Sequence, residues 1–176
     1  MKKVVFICFI SIFTISNFGF CNTFSKSQAL KISELFIKFV SKDDFESASK
    51  LLHYPNEYTE EQLESDIKGV SAIMQSLDHS FGEIISYKEA TGMNVVASIG
   101  GGTADIPYWK KYSESKKLTL EASFSKYGNG YLEFVFYNIN GELGLRAVNY
   151  GLPASSTESI KLLKQASKPI LEILKK

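Results

Sequence analysis

The chain is almost without arginine: among its 176 residues only Arg146 is one, and lysine supplies the other basic side chains. Twenty basic residues against nineteen acidic ones leave a formal charge of +1, so there is no excess of either sign. Nucleic-acid readers rely on guanidinium forks and a basic surplus, and no nucleic-acid partner is expected here. Cysteine is scarce too, with only Cys8 and Cys21, both within the first 21 residues. A disulfide framework is thereby excluded for the folded part, which must be stabilised by its core. Catalytic and cofactor motifs are missing as well. Gly100-Gly101-Gly102 is followed by no Gly-Lys-Ser/Thr and lies in no strand-GxGxxG-helix context, so a flexible loop or sheet-edge bend is expected rather than a phosphate loop. No nucleophile-elbow sequence is present, and neither a cofactor nor a metal is expected.

Aromatic residues, by contrast, are plentiful. Thirteen Phe and nine Tyr within 44% hydrophobic residues favour a sheet-containing fold with large side chains to bury. The length suits one domain with a real core.

Lys2 and Lys3 precede the apolar run Val4 to Ile15, which is too short to span a bilayer comfortably and fits a signal-peptide h-region. Cleavage after Cys21 would place Gly19 and Cys21 at the −3 and −1 positions. Residues 1–21 are therefore read as a signal peptide, and 22–176 as one exported domain, periplasmic or secreted. Loss of the two lysines turns the formal charge to −1, with no electrostatic bias towards membranes. A lipid anchor on Cys21 would make the chain an accessory protein of the cell envelope, but Phe20 stands where a lipobox has a small residue. Membrane attachment is expected only if Cys21 is lipidated.

Ser25 with Gln28 predicts a capped helix to about Ser41, with Leu30, Leu35, Phe36, Phe39 and Val40 along its apolar stripe. Asp43 with Glu46 starts a second, short helix that Pro55 stops, and His53 near its end reads as a favourable charge at a helix C-terminus. Thr59 with Gln62 opens a third, where Leu63, Ile67, Val70, Met74 and Leu77 follow at helical spacing to about Leu77. Phe81–Ala90 and Met93–Ile99 read as strands, and Thr103–Ser115 is ambiguous between strand and loop. Ser155 with Glu158 predicts a C-terminal helix over about 156–174, broken or kinked at Pro169, with a basic, solvated face.

Between them lies a three-stranded meander: Leu118–Phe124, Tyr131–Asn138 and Leu143–Tyr150. Asn140-Gly141 tolerates the positive φ of a type I′ turn and fixes the second hairpin. A two-residue loop there pairs Ile139 with Glu142, Phe136 with Leu145 and Phe134 with Ala147. One face then carries Leu118, Leu120, Ala122, Phe124, Leu132, Phe134, Phe136, Leu143, Leu145 and Ala147, which the helices must cover. The other carries Thr119, Glu121, Ser123, Tyr131, Glu133, Val135, Tyr137, Arg146, Val148 and Tyr150, with a Glu133–Arg146 ion pair expected. Tyr and Arg are enriched at interfaces, so Tyr131, Glu133, Tyr137, Arg146 and Tyr150 are the candidate contact residues for a protein partner or a second copy.

The fold class expected is α+β: N-terminal helices packed on a curved antiparallel sheet, with an extra C-terminal helix. Leu35-Phe36-Ile37 through Asp43-Asp44-Phe45-Glu46 to Leu51-Leu52, with Phe81-Gly82 and Asn140-Gly141-Glu142-Leu143, resembles the nuclear transport factor 2-like superfamily, and within it small exported bacterial domains of unassigned function. The resemblance covers roughly residues 25–153. It implies a cone whose bent sheet wraps the helices and leaves a pocket at the open end. Members include isomerases and dehydratases as well as non-catalytic binding domains, and fold alone does not choose between them. His79 beside Asp78 is the acid–base candidate near the mouth, and Asp105, Tyr108, Trp109 and Tyr112 are candidates for its rim. The leading expectation is an exported non-enzymatic binding domain acting through a sheet face or an apolar pocket that takes a small ligand. The competing ones are a small-molecule enzyme and the lipid-anchored accessory protein.

Overall fold

The structure, a computed structural model, describes residues 25–91, 95–103, 106–109, 112, 115–153 and 161. The expected signal peptide, Cys21, Asp105 and, apart from Lys161, the expected C-terminal helix lie outside these residues.

Three helices come first. α1 (Lys26–Val40) begins where the Ser25 hydroxyl accepts the backbone N–H of Gln28 at 3.2 Å. α2 (Phe45–Lys50) starts one residue later than the sequence predicts, because Asp43 takes a left-handed φ of 57° and Asp44 becomes the cap, accepting from the Ser47 N–H. α3 (Glu60–Phe81) carries the full reciprocal capping box between Thr59 and Gln62. It continues one turn past Leu77, so Phe81 is the last helical residue rather than the first of a strand. Gly82 ends it with a φ of 84°, a conformation that favours glycine.

The remaining elements are β1 (Ile84–Glu89), β2 (Val95–Gly102), the single turn α4 (Ile106–Trp109), β3 (Ser115–Phe124), β4 (Gly128–Ile139) and β5 (Glu142–Pro153). All five strands form one curved antiparallel sheet in the order β1-β3-β4-β5-β2, so the fold is α+β as expected. The meander is its centre, and β1 and β2, neighbours in sequence, occupy opposite edges. The glycine run is not a loop: Gly100, Gly101 and Gly102 pair with Asn149, Val148 and Ala147 inside β2. A Cβ on Gly101 would sit 3.1 Å from Ile73 of α3, and one on Gly102 2.6 Å from the Ala147 Cβ. Close approach of strand to strand and of helix to strand is what these glycines permit.

The Asn140-Gly141 turn places Ile139 opposite Glu142 and Phe136 opposite Leu145, as its two-residue length requires. The register then changes. Val135 pairs with Ala147, so Arg146 is an extra residue facing no partner of its own, a β-bulge. Phe134 consequently lies opposite Val148, not Ala147, and Leu132 opposite Tyr150. One inserted residue reverses the facing of the strand beyond it. Val148 and Tyr150 therefore point into the core, at 1% and 0% exposure, and Ala147 joins the outer face.

The core fills the space between the helices and this inner face. Phe36, Ile37, Val40, Val70, Ile73, Met74, Leu77 and Phe81 meet Leu118, Leu120, Phe124, Leu132, Phe134, Phe136, Leu145, Val148 and Tyr150. Phe36 packs edge-on to Phe134 at 5.5 Å between centroids, and Phe81 lies 5.2 Å from Tyr150. Among the described residues no helix is long and apolar enough to cross a membrane.

Candidate functional site

A second, smaller cluster lies on the other side of the sheet. Tyr137 and Ile139, at the end of β4, carry Tyr108, Trp109 and Tyr112 against them. α4 is too short to hold itself in place, and two bonds fix it. The Thr103 backbone N–H donates to the Arg146 carbonyl at 3.1 Å, and the Thr103 hydroxyl accepts the Trp109 indole N–H at 3.0 Å. Trp109 and Tyr137 then face each other at 4.9 Å between centroids. The bulge that rotates the rest of β5 also sets Arg146 here. Its guanidinium carbon lies 5.6 Å from the Trp109 centroid and 5.7 Å from that of Tyr137, and Nη1 donates to the Tyr137 hydroxyl at 3.2 Å. Cation–π attraction of this kind is worth about 0.5–2 kcal/mol, more where water is excluded.

His53 completes the cluster from the other direction. Leu52 and His53 run beside β5 where β2 has ended: Leu52 bridges Leu145, and the His53 N–H donates to the Leu145 carbonyl at 2.7 Å. Gly144 leaves room for the imidazole, since a Cβ there would be 3.2 Å from the His53 Cβ. The ring stacks on Tyr108 at 5.9 Å and meets Trp109 edge-on. Tyr112 donates to the Tyr108 hydroxyl at 3.2 Å, and Tyr108 in turn donates to His53 Nε2 at 2.7 Å when that nitrogen carries no proton. Burial lowers the pKa of His53 from its ordinary value, against a smaller opposing pull from Glu142, so the neutral imidazole that can accept this bond is the favoured form. The sequence reading of His53 as a helix-end charge is thus corrected. α2 ends at Lys50, and the imidazole is held three residues beyond it in an aromatic environment.

Two groups of sequence candidates meet at this site. Tyr108, Trp109 and Tyr112, read as a pocket rim, and Tyr137 and Arg146, read as interface residues, form one cluster. Three other candidates stand apart. Tyr131 is half-buried six residues away along β4, about 20 Å at strand spacing. Glu133 is only 6% exposed and bonds to Lys117 at 3.1 Å and to the Asn149 amide at 3.0 Å, so neither the Glu133–Arg146 pair nor an exposed contact at Glu133 exists. With Thr119 and Val135 each at 8% exposure, the middle of the outer face is closed as well. Tyr150, also read as an interface residue, is a core residue because of the bulge. His79 is exposed on the last turn of α3, where its carbonyl accepts from Lys126 at the β3–β4 turn. That turn lies at the opposite end of β4 from Tyr137, so His79 takes no part in the cluster. Asp105 is outside the described residues. Among the described residues no group of His, Cys, Asp or Glu side chains has the arrangement to hold a metal.

No family model matches the chain, and no curated protein or solved structure matches it either. The geometry of the cluster therefore carries the functional reading. Chemically it offers a neutral hydrogen-bond chain through Tyr112, Tyr108 and His53, a wall of aromatic rings, and one guanidinium.

Proposed function

We propose that this chain is an exported, non-enzymatic binding domain that meets a protein partner through the Tyr137–Arg146 end of its outer sheet face. The observation that carries the reading is Arg146. The chain's only arginine is half-buried against Trp109 and Tyr137, and among the described residues no carboxylate pairs with it. Trp, Tyr and Arg are the residues that dominate binding energy when they cluster in this way. The N-terminal basic and apolar run supports export. The sequence resemblance to the nuclear transport factor 2-like superfamily, whose members include many binding domains, agrees with this reading. His79 is exposed and apart from the cluster, and helix side chains pack against the inner face.

Photo-crosslinking in intact cells tests the reading. Tyr137→benzoylphenylalanine is expected to yield a discrete crosslinked species that disappears when Arg146→Ala is added. The same replacement at the exposed Lys38 of α1 is expected to yield none. Equal crosslinking from both positions, or from neither, contradicts a partner at this face.

A further inference from the structure

Arg146 sits where a bulge has re-aimed it, and bulges next to functional sites commonly serve that purpose. A guanidinium carries five N–H donors, and one of these goes to the Tyr137 hydroxyl. Because the Tyr137 oxygen accepts that bond, its own O–H proton remains as a donor beside the guanidinium. Donors from two side chains thus lie side by side, and among the described residues no carboxylate pairs with the guanidinium. The carboxylate closest in sequence register, Glu133, is committed to Lys117 and Asn149. Trp109 and Tyr137 exclude water from one side of the guanidinium, which strengthens any charge-assisted bond it makes.

We infer that this point takes a carboxylate, supplied by an acidic side chain of the protein partner, with the fork of Arg146 and the hydroxyl of Tyr137 holding its two oxygens. The inference rests on the proposed binding face and specifies its chemistry. Planar bidentate geometry selects a carboxylate, and the half-buried rings of Tyr112 and Tyr137 receive the apolar residue beside it, with the buried Trp109 backing the guanidinium. The cluster lies on a sheet face with its rings to one side, which suits a side chain presented by a folded or extended partner better than a small molecule needing enclosure.

Trp109 is the chain's only tryptophan, so its indole N–H resonance reports on this site alone. The uniformly ¹⁵N-labelled mature protein is titrated with three probes: a capped peptide Ac-Phe-Glu-Leu-NH₂, its Gln counterpart, and sodium acetate. The Glu peptide is expected to shift the Trp109 indole and Arg146 Nε–H signals saturably. The Gln peptide, and the Glu peptide added to the Arg146→Gln protein, are expected to bind about tenfold more weakly, the loss of one charge-assisted contact. Arg146→Lys, which keeps the charge and loses the fork, is expected to weaken binding several-fold. Equal binding of Glu and Gln peptides at the Trp109 signal overturns the carboxylate and leaves the binding face standing. Acetate binding as tightly as the Glu peptide overturns the protein source. Absence of any shift at Trp109 and Arg146 overturns the inference, and shifts confined to another surface overturn the binding face with it.

Discussion

Tyr150 carries a hydroxyl that the core does not answer: the side chain is fully buried and, among the described residues, its oxygen has no hydrogen-bond partner. Burial raises its pKa, so the phenol stays neutral at any ordinary pH. An unsatisfied buried hydroxyl costs about 1–3 kcal/mol, whereas the ring itself packs between Phe81 and Phe124. Tyr150→Phe is therefore expected to leave stability unchanged or raise it by about 1 kcal/mol in urea denaturation. A loss of stability would mean that the hydroxyl has a partner after all. His53, unlike Tyr150, gives a prediction that depends on pH. Its pKa is lowered by burial in the folded protein, so the unfolded chain binds the extra proton as pH falls through its ordinary value of 6.5. Stability from this residue is present above about 6.5 and is lost as pH falls below it towards the depressed folded value. Protonation also removes the acceptor for Tyr108. His53→Gln should show a shallower loss of stability between about pH 7 and pH 5 than the native chain, and identical slopes would contradict the assignment.

Among the elements, the helices were the most legible in sequence, because capping residues and 3.6-residue spacing are local signals. Thr59, Gln62 and the stripe to Leu77 located α3, and only its last turn, closed by Gly82, was missed. The meander and its turn were legible for the same reason. The bulge at Arg146 was not. No residue type forces a bulge, and the neighbouring strand makes room for this one, with Gly102 against the displaced backbone. A Cβ on Gly102 would lie 2.7 Å from the Arg146 carbonyl oxygen. Missing that one residue sent Val148 and Tyr150 to the wrong face. It also gave Arg146 the wrong partner. The aromatic residues of the site were recognised individually, but their meeting depends on contacts such as His53 to Tyr108, which are 55 residues apart. Gly102→Ala is expected to cost about 2 kcal/mol or more in chemical denaturation and to disturb the Trp109 environment as the bulge shifts. Native stability and an unchanged Trp109 emission would show that β2 does not press on the bulge.

At the scale of the whole molecule, the two faces of one sheet do different work. The inner face is a continuous apolar core shared with α1, α2 and α3. The outer face is polar and closed at its middle, and its aromatic cluster lies at the end where β2 stops. The edges differ also. β1 pairs on one side only and is exposed along five of its six residues, with Ile85 at 66% and Tyr87 at 42%. Its amides are expected to exchange with solvent well before those of β4, which is paired on both sides, when hydrogen exchange is followed by mass spectrometry. Uniform protection across the sheet would contradict this division. The central claim is that the bulge at Arg146 sets both the core register and the site, and cross-strand nuclear Overhauser effects test it most directly. The account predicts contacts pairing Phe134 with Val148 and Leu132 with Tyr150, together with contacts from the Arg146 side chain to the Trp109 indole. An unbroken ladder pairing Phe134 with Ala147, with no Arg146–Trp109 contact, would contradict it.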